Sequence, residues 1–267
     1  MNLSDYEKRF ASLSRLYGQL AYDELKSLHI AVIGLGGVGS WCVEALARSG
    51  IGKITLIDYD DICLSNINRQ LPALDNTLGE KKFAVLAERV KHINPDCDCV
   101  CIDDFVTLDN IEKYLNDNHQ YDYVIDAIDG IKVKAAMANY CKRNKIPIIV
   151  TGGAGGLTDP TQIKVADLSK TYNDPLAAKV RSTLRSNYGF TKNAKRSFGI
   201  ECVFSSQQPV YPTADGCVSH AKPGIHGVSL DCKFGYGSIS FVTGAFAFVA
   251  TSRAINKALK RRLQSKN

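Results

Sequence analysis

A glycine-rich turn at residues 34–39 constrains the fold of this chain more than any other feature. It follows a short run of mostly β-branched residues at 29–33 and opens an amphipathic helix that runs through Arg48 and stops at Gly50. Glycines let the backbone turn tightly and approach a phosphate, and a helix N-terminus offers unpaired N–H donors with partial positive charge. The pattern predicts a nucleotide-binding unit with cofactor-binding glycines Gly34, Gly36, Gly37 and Gly39.

The polar residues that follow distinguish between the nucleotides such a turn can bind. The next predicted strand, residues 53–58, ends on Asp58 at the distance expected for a ligand of a ribose hydroxyl. A nicotinamide enzyme keeps its chemistry on an uncharged ring, whereas attack on the α-phosphate of ATP builds charge that Arg, Lys and Asn donors can stabilise. The sequence therefore favours ATP, with further candidate ligands Asp60, Asn66, Arg69, Gln70 and Lys82.

Two carboxylates stand at the end of a further predicted strand, residues 121–126. Asp126 closes that strand and Asp129 follows it by three positions. The carboxyl ends of parallel strands form the nucleotide crevice, where a carboxylate can hold Mg²⁺ between phosphates. Capping of the following helix is the alternative role, and the two roles are compatible. We expect Asp129 or Asp126 to be the magnesium ligand.

The alternation of strands and helices predicts the fold class. Strands at 30–33, 53–58, 98–102, 121–126 and 146–151 alternate with helices at 40–49, 79–93, 109–118 and 131–144. This rhythm predicts an α/β fold with a doubly wound, mostly parallel Rossmann-like sheet and helices on both faces. We expect residues 1–155 to form an ATP-binding domain with an N-terminal helical arm. Residues 156–267 are expected to add a C-terminal α+β extension for substrate binding and dimerisation, with strands at 162–167 and 199–204 and a helix at 175–186.

Composition narrows the setting of the protein. The chain has a net charge of +6 and nine cysteines without a C-x-x-C pair, and no N-terminal segment combines a basic start with an apolar run, so we expect no secretion. These features predict a reducing cytoplasm, no zinc site, and buried, hydrophobe-like roles for Cys97, Cys99 and Cys101 on one face of a strand. The apolar segment 239–250 is shorter than a bilayer requires, so we expect a core or dimer-interface helix and no membrane association.

The positive charge is concentrated in two places. One is the C-terminus, at Lys257, Lys260, Arg261 and Arg262. Solvated surface and a phosphate-contacting surface for RNA are both compatible with such charge runs. The other is a span of candidate nucleic-acid contacts, which comprises Lys179, Arg181, Arg185, Lys192, Lys195 and Arg196.

Taken in order, the glycine turn, Asp58-x-Asp60, Asn66-x-x-Arg69-Gln70, Lys82 and Asp126-x-x-Asp129 resemble the adenylating domain of the ubiquitin-activating-enzyme family. That family includes bacterial activators of sulfur-carrier proteins, which usually carry zinc-binding cysteine pairs that this chain lacks. The resemblance implies ATP and Mg²⁺ as cofactors and catalytic roles for Arg69, Lys82 and Asp129. It also implies a homodimer in which an N-terminal arginine, Arg15 or alternatively Arg9, reaches the partner's ATP site.

Four further segments resemble the tRNA threonylcarbamoyladenosine dehydratases within that family. They are Arg9-Phe10, residues 15–18, residues 203–207 and Asp231-Cys232. The resemblance implies ATP-dependent cyclisation of threonylcarbamoyladenosine at tRNA position 37, with a monovalent cation (Na⁺ or K⁺) as an optional cofactor. Cys232 is a candidate nucleophile or acceptor from a sulfur-transfer protein, although intramolecular ring closure needs no covalent enzyme intermediate.

Three other functions remain open at the level of sequence. A sulfur-carrier-activating adenylyltransferase would share the adenylating residues and act on a small protein with a Gly-Gly tail. An NAD-dependent oxidoreductase would account for the glycine turn alone. A nucleotide-gated RNA-binding module would use the basic residues without catalysis. Release of pyrophosphate from ATP with tRNA, compared with a carrier protein, separates these functions.

Overall fold

The computed structural model describes residues 4–213, 215–221 and 237–266. Strands and helices alternate along the first half, as the periodicity predicts. The helices are α1 (Asp5–Phe10), α2 (Ser12–Tyr17), α3 (Gln19–Leu25), α4 (Gly39–Arg48), α5 (Lys82–Ile93), α6 (Ile111–Leu115), α7 (Ile131–Arg143), α8 (Pro175–Asn187) and α9 (Ser240–Ser265). The strands are β1 (His29–Ile33), β2 (Lys53–Asp58), β3 (Asp98–Asp103), β4 (Tyr123–Asp126), β5 (Ile148–Thr151), β6 (Ile163–Asp167), β7 (Glu201–Ser205), β8 (Tyr211–Pro212) and β9 (Val218–Ser219).

Seven strands form one sheet in the order β3-β2-β1-β4-β5-β7-β6. All neighbouring pairs are parallel except β6 with β7, which is antiparallel. The strand order reverses between β1 and β4, so the connections from these two strands leave toward opposite sides. A crevice opens at such a switch point, outside the carboxyl ends of the strands, and nucleotides bind there. The predicted fold class is confirmed.

Helices cover both faces of the sheet because side chains alternate along each strand. Ile30 and Val32 pack in a core with α1, α3, α4, α5 and α9. Ala31 and Ile33 point the other way, into a second core with α6, α7 and α8. The C-terminal half supplies β6 and β7 to the same sheet and α9 to the first core, so the predicted boundary at residues 155 and 156 divides one continuous sheet.

Helix α9 explains the apolar segment at 239–250. Val242, Phe246 and Ala250 are fully buried against the first core, whereas Phe241 and Phe248 are half exposed on the opposite side. One face of the helix therefore belongs to the core, which was one of the two roles expected for this segment. Among the described residues, no helix combines the length and the apolar character needed to cross a bilayer.

Two expectations about the edge of the sheet need correction. Cys101 is exposed and Cys97 and Cys99 are only half buried, because β3 is the last strand of the sheet and one side of it has no neighbouring strand. The helix expected at 79–93 begins at Lys82. The preceding residues pair instead with the segment after β2, through Ile62 N–H donating to Glu80 O at 2.8 Å.

Candidate nucleotide-binding site

Two positions of the glycine turn between β1 and α4, Gly34 and Gly39, have no room for a side chain. Gly34 has a φ of +85°, and a Cβ there would lie 2.8 Å from Ile128 Cγ2. A Cβ on Gly39 would lie 1.7 Å from the carbonyl oxygen of Gly34. On Gly37 it would approach Thr243 Cγ2 to 3.2 Å, which shows that the first turn of α9 lies against the loop. Only glycine permits this close packing at positions 34 and 39.

Asp58, at the end of β2, joins the glycine turn to the segment that follows. Its Oδ2 accepts a hydrogen bond from Leu35 N–H at 2.6 Å, and its Oδ1 accepts one from Asp60 N–H at 2.8 Å. Each carboxylate oxygen can accept a second hydrogen bond. Asp58 is therefore already placed beside the turn and retains acceptor capacity for a ribose hydroxyl.

Lys82 is the first residue of α5, and its side chain is buried. Its Nζ lies 2.8 Å from Asp60 Oδ2, whose side chain is half exposed. A buried ammonium without a partner would be unfavourable, and the Asp60 carboxylate supplies that partner at the edge of the crevice. Asp60 is thus the ion-pair partner of Lys82, and no hydrogen bond joins its side chain to the glycine turn among the described residues.

Arg69 lies between α4 and α9. Its carbonyl oxygen accepts hydrogen bonds from Trp41 Nε1 at 3.0 Å and from Thr243 Oγ1 at 3.3 Å. Its Nη1 donates to Ser65 O at 2.6 Å and to Asn68 Oδ1 at 2.9 Å. The backbone is fixed by two helices, and within the described chain the guanidinium is held through Nη1 alone, which leaves donors for an anion.

The two amides near Arg69 have different surroundings. Asn66 is buried, and its Oδ1 accepts a hydrogen bond from Cys63 N–H at 3.1 Å, so this oxygen stabilises the local turn. Gln70 is also buried, and its Nε2 lies 3.9 Å from the position of a Cβ on Gly36. Its Oε1 has no hydrogen-bond partner among the described residues. Of the two, Gln70 is the side chain that faces the glycine turn.

The two candidate magnesium ligands are separated by burial. Asp126 has no exposed surface, and its Oδ1 lies 2.7 Å from Nζ of Lys134. Burial raises the pKa of Asp126, and the charge of Lys134 opposes that rise. The expectation that Asp126 holds the metal is therefore corrected, because a ligand must be reachable from the crevice. Asp129 is exposed, in the turn between β4 and α7.

The donor set fits a magnesium ion that is shared with phosphates. No group of three His, Cys, Asp or Glu side chains in the described part of the chain could hold a metal ion by itself. Mg²⁺ keeps several waters and is commonly bound by one or two carboxylates together with substrate phosphates. Asp129, an exposed carboxylate at the crevice, meets that description.

Neither N-terminal arginine reaches the glycine turn of its own chain. Arg9 Nη1 donates to Ile93 O at 3.4 Å, at the amino-terminal edge of the sheet. Arg15 is exposed on α2, next to Tyr17, which lines a surface groove with Asn256 and Lys260 of α9. Those α9 residues lie about 20 to 25 Å along the helix from Thr243, at about 1.5 Å per residue.

The basic span at 179–196 divides into two sets. Arg181 donates to Thr171 Oγ1, and burial lowers the pKa of its guanidinium. Arg185 donates from Nε to Thr191 O at 3.3 Å and lies 5.5 Å from the ring centroid of Phe198. These two arginines are therefore partly occupied by internal contacts. The exposed set comprises Lys179, Lys192, Lys195 and Arg196.

The exposed loop lies away from the crevice. Asp167, at the end of β6, accepts hydrogen bonds from the backbone N–H groups of Phe198 at 2.9 Å and Gly199 at 2.7 Å. Asp167 pairs with Glu201, the first residue of β7. The loop that carries Lys192, Lys195 and Arg196 is thus fixed at the amino-terminal edge of the sheet, opposite the crevice.

The C-terminal basic residues also divide. Lys257 Nζ lies 3.0 Å from Glu201 Oε1, and Arg262 Nε lies 2.6 Å from Asp122 Oδ1. Lys260 and Arg261 are exposed. Cys232 falls outside the described residues.

Two residues that matter for the site were not expected from the sequence. Gln207 Oε1 accepts hydrogen bonds from the N–H groups of Thr158 and Asp159, both at 3.0 Å, and so holds the loop after β5. Lys134 anchors Asp126. Its signal in the sequence is a lysine on the apolar side of α7, in register with Ala138 and Cys141, which indicates a buried counter-ion.

Comparison with known proteins gives concordant results. A model of the ThiF family matches residues 7–267. The tRNA threonylcarbamoyladenosine dehydratase of Haemophilus influenzae is 54% identical over 261 residues, which covers 97% of each chain. The Escherichia coli protein of the same name is 51% identical over 257 residues, 96% of this chain and 95% of that one.

Solved structures agree with these sequence matches. The E. coli tRNA N6-threonylcarbamoyladenosine dehydratase in complex with ATP superposes with a TM-score of 0.86 at 47% identity and covers 99% of each chain. The same enzyme in complex with AMP also has a TM-score of 0.86, at 47% identity, and covers 98% of this chain and 99% of that one.

Proposed function

The chain belongs to the ThiF family, and we propose that it is an ATP-dependent dehydratase of N6-threonylcarbamoyladenosine in tRNA. Family membership confirms the resemblance that the spaced motifs predicted. The observation that carries the proposal is one crevice, at the switch point of the sheet, that is bordered by the glycine turn, Arg69, Lys82 and Asp129. Relatives of this similarity are named for that reaction and have been solved with ATP and with AMP.

The chemistry requires activation of a poor electrophile. A carboxylate of the threonyl group attacks the α-phosphorus of ATP and forms an acyl-adenylate while pyrophosphate leaves. The ureido oxygen then attacks the activated carbonyl carbon, the ring closes, and AMP leaves with one oxygen of the original carboxylate. The tRNA thereby loses the elements of water, and ATP is converted to AMP and pyrophosphate. The reacting nucleotide is position 37.

Side chains at the crevice would stabilise the charge that develops on the phosphates. Arg69 offers guanidinium donors from a backbone fixed by α4 and α9. Lys82 offers an ammonium held at the crevice edge by Asp60. Such preorganised donors are effective because they need no rearrangement at the moment of reaction. Asp58 would hold the ribose, and Gln70 would donate toward the phosphates beside Gly36.

The metal site follows from the accessible carboxylate. Asp129 would hold Mg²⁺ with the phosphates of ATP, and the bound ion would supply charge neutralisation. The chain's own contribution is to hold that carboxylate at the mouth of the crevice, in the turn that packs on Gly34. We also propose a monovalent cation as an optional cofactor; its ligands are not assigned.

We further propose that the protein acts as a homodimer and that Arg15 completes the partner's site. Arg15 is exposed and lies far from the glycine turn of its own chain, so it can contribute to a nucleotide site only from another copy. Leu16 and Leu20, on α2 and α3, are 72% and 77% exposed and are available to contact that copy.

The α7–α8 face would bind the tRNA backbone. Residues 130–158 and 175–200, which include both helices, contain no Asp or Glu. At the amino-terminal edge, Lys142 contacts Gly199, which brings the end of α7 next to the basic loop. Both helices extend about 20 Å from the crevice edge to that loop. The proposed contacts, which we call the basic face, are Lys142, Arg143, Lys145, Lys179, Lys192, Lys195 and Arg196.

A reconstitution experiment tests the proposed function. The protein is incubated with ATP, Mg²⁺ and tRNA that carries threonylcarbamoyladenosine, and the nucleosides are analysed by mass spectrometry. We expect loss of one water from the modified nucleoside and release of one AMP and one pyrophosphate per ring formed. Unmodified tRNA is the matched control. Release of AMP with a Gly-Gly-tailed carrier protein, but not with modified tRNA, would instead identify a sulfur-carrier-activating enzyme.

A further inference from the structure

Lys134 is among the largest side chains that are almost completely buried in the described part of the chain. It lies in the first half of α7, on the side that faces the sheet. A buried ammonium is tolerated only where charge and hydrogen bonds compensate for lost water. Its three protons meet three acceptors: Asp126 Oδ1 at 2.7 Å, Ile128 O at 2.8 Å and Asp126 O at 3.2 Å.

Two of these acceptors belong to Asp126, the last residue of β4, and the third to Ile128, in the turn that connects β4 with α7. This turn also packs against the glycine turn, because Ile128 Cγ2 would lie 2.8 Å from a Cβ on Gly34 and Ala127 N–H donates to Ile33 O at 2.9 Å. Lys134 therefore joins the end of β4 to the turn between β4 and α7 on one side of that turn. The glycine turn packs against its other side. Asp129, the residue after Ile128, is exposed to solvent at the crevice.

Stability alone does not account for this arrangement. A buried ion pair can often be replaced by apolar side chains of similar volume without loss of stability. Here the pair is also incompletely satisfied, because Asp126 Oδ2 has no hydrogen-bond partner among the described residues. The pair instead fixes the backbone of the turn between β4 and α7. Asp126 Oδ1 accepts a hydrogen bond from Ile128 N–H at 3.2 Å, and Lys134 Nζ donates one to Ile128 O.

We propose that Lys134, through its buried contacts with Asp126 and Ile128, is a positioning residue that holds the Asp129 carboxylate in place for the Mg²⁺ and phosphates of ATP. The inference rests on the proposed function, since it takes Asp129 as the carboxylate that faces the nucleotide. Lys134 does not touch the nucleotide itself. Its effect is to restrict the backbone on which Asp129 is carried.

The first test uses the protein without nucleotide. Backbone amide exchange of residues 127–130 is measured in the wild type and in Lys134→Met. We expect these amides to be protected in the wild type and to exchange about tenfold faster in the variant. Lys132→Met, an exposed change two residues earlier on the same helix, is the matched control and should leave their exchange unchanged. Unprotected amides in the wild type, or equal exchange in wild type and Lys134→Met, would overturn the proposal.

The second test asks whether Lys134 acts through Asp129. Affinities for AMP without metal and for ATP with Mg²⁺ are measured in wild type, Lys134→Met, Asp129→Ala and the double variant. We expect Lys134→Met to weaken Mg²⁺-dependent ATP binding about tenfold and to leave AMP binding unchanged. In the Asp129→Ala background, Lys134→Met should change ATP affinity less than about twofold. Equal weakening in both backgrounds, or equal weakening of AMP and ATP, would overturn the positioning role.

The buried pair also needs a control for misfolding. If Lys134→Met does not unfold cooperatively, the neutral pair Lys134→Met with Asp126→Asn replaces it, because that pair leaves no uncompensated buried charge. The same exchange and affinity results are expected. Failure of the proposed function is distinguishable, since it would appear as a wild-type protein that binds no ATP or as wild-type Mg²⁺ dependence in Asp129→Ala.

Discussion

Lys82 and Asp60 form an ion pair, 2.8 Å between Nζ and Oδ2, in which the lysine is buried and the aspartate is half exposed. The pair joins the first residue of α5 to the segment after β2. Because Asp58 also accepts hydrogen bonds from Leu35 and Asp60, one continuous set of contacts runs from the glycine turn to the lysine. The phosphates of an incoming nucleotide would share Lys82 with Asp60.

Replacement of Lys82 or Arg69 by alanine should lower turnover roughly 100-fold, because each donor stabilises charge in the transition state. The measurement is the rate of AMP release with modified tRNA. Lys81→Ala is the matched control: Lys81 is adjacent to Lys82, but it contacts Asp61 and Tyr59 at the surface. Near-normal rates in both Lys82→Ala and Arg69→Ala would mean that other residues hold the phosphates.

The dimer proposal predicts complementation between two inactive variants. Arg15→Ala and Lys82→Ala protomers, mixed as verified heterodimers, should regain activity at one of the two sites, because one site would contain both an intact Lys82 and an intact partner Arg15. The rate of AMP release checks this. Arg9→Ala mixed with Lys82→Ala tests the alternative arginine. Absence of rescue in verified Arg15→Ala heterodimers would remove Arg15 from the partner's site.

The basic face predicts a specific salt dependence. Replacement of Lys142, Lys195 and Arg196 by alanine should weaken tRNA binding and reduce the slope of log affinity against log salt by about 2, at roughly 0.7 per lost phosphate contact. ATP affinity should not change, because these side chains lie at the opposite edge of the sheet.

A triple variant of equal charge change is the control for that experiment. Lys91, Lys260 and Arg261 are exposed on α5 and α9, and their replacement by alanine should leave tRNA affinity unchanged. The opposite result, with loss of tRNA binding only in this control, would place the docking surface on α9 instead of α7 and α8.

Stability should depend on pH through His29, which is buried at the start of β1. Burial lowers the pKa of its imidazole from 6.5 to about 4, and the charge of Lys53 adds to that effect. The unfolded state therefore binds the proton at higher pH than the folded state. The free energy of unfolding is therefore not reduced by this group above pH 6.5. It decreases as the pH falls toward 4, by roughly 2–3 kcal/mol in total.

Thermal or denaturant unfolding between pH 7 and pH 4.5 measures this effect. Carboxylates whose pKa is lowered, such as Glu44 and Asp167, lose their contribution only nearer to and below their ordinary values of 4.5 and 3.8. His29→Gln should flatten the profile between pH 6.5 and 4.5, whereas His92→Gln, an exposed change on α5, should not. An equally steep profile in His29→Gln would exclude this group as the cause.

Local patterns in the sequence were sufficient to predict the fold class and the position of the crevice. The glycines at 34 and 39 are required by contacts within the glycine turn and with the turn after β4. Their spacing in the sequence is therefore enough to predict the nucleotide-binding turn. The same is true of Asp58 at the end of a strand, because strand ends are properties of short segments. The start of α5 at Lys82 instead of residue 79 depended on the pairing of Glu80 with Ile62.

The roles of several predicted site residues depended on contacts between distant segments. The sequence does not distinguish Asp126 from Asp129 as a metal ligand. In the structure Asp126 is buried in an ion pair with Lys134, whereas Asp129 is an accessible carboxylate. Asn66 is bound to Cys63, and Arg181 and Arg185 are partly occupied by internal contacts, whereas Lys195 and Arg196 are exposed at the far edge of the sheet. Sequence thus determined which residue types stand at each strand end and helix start. Tertiary packing decided which of them solvent and ligands can reach, because burial is set by residues far apart in the chain.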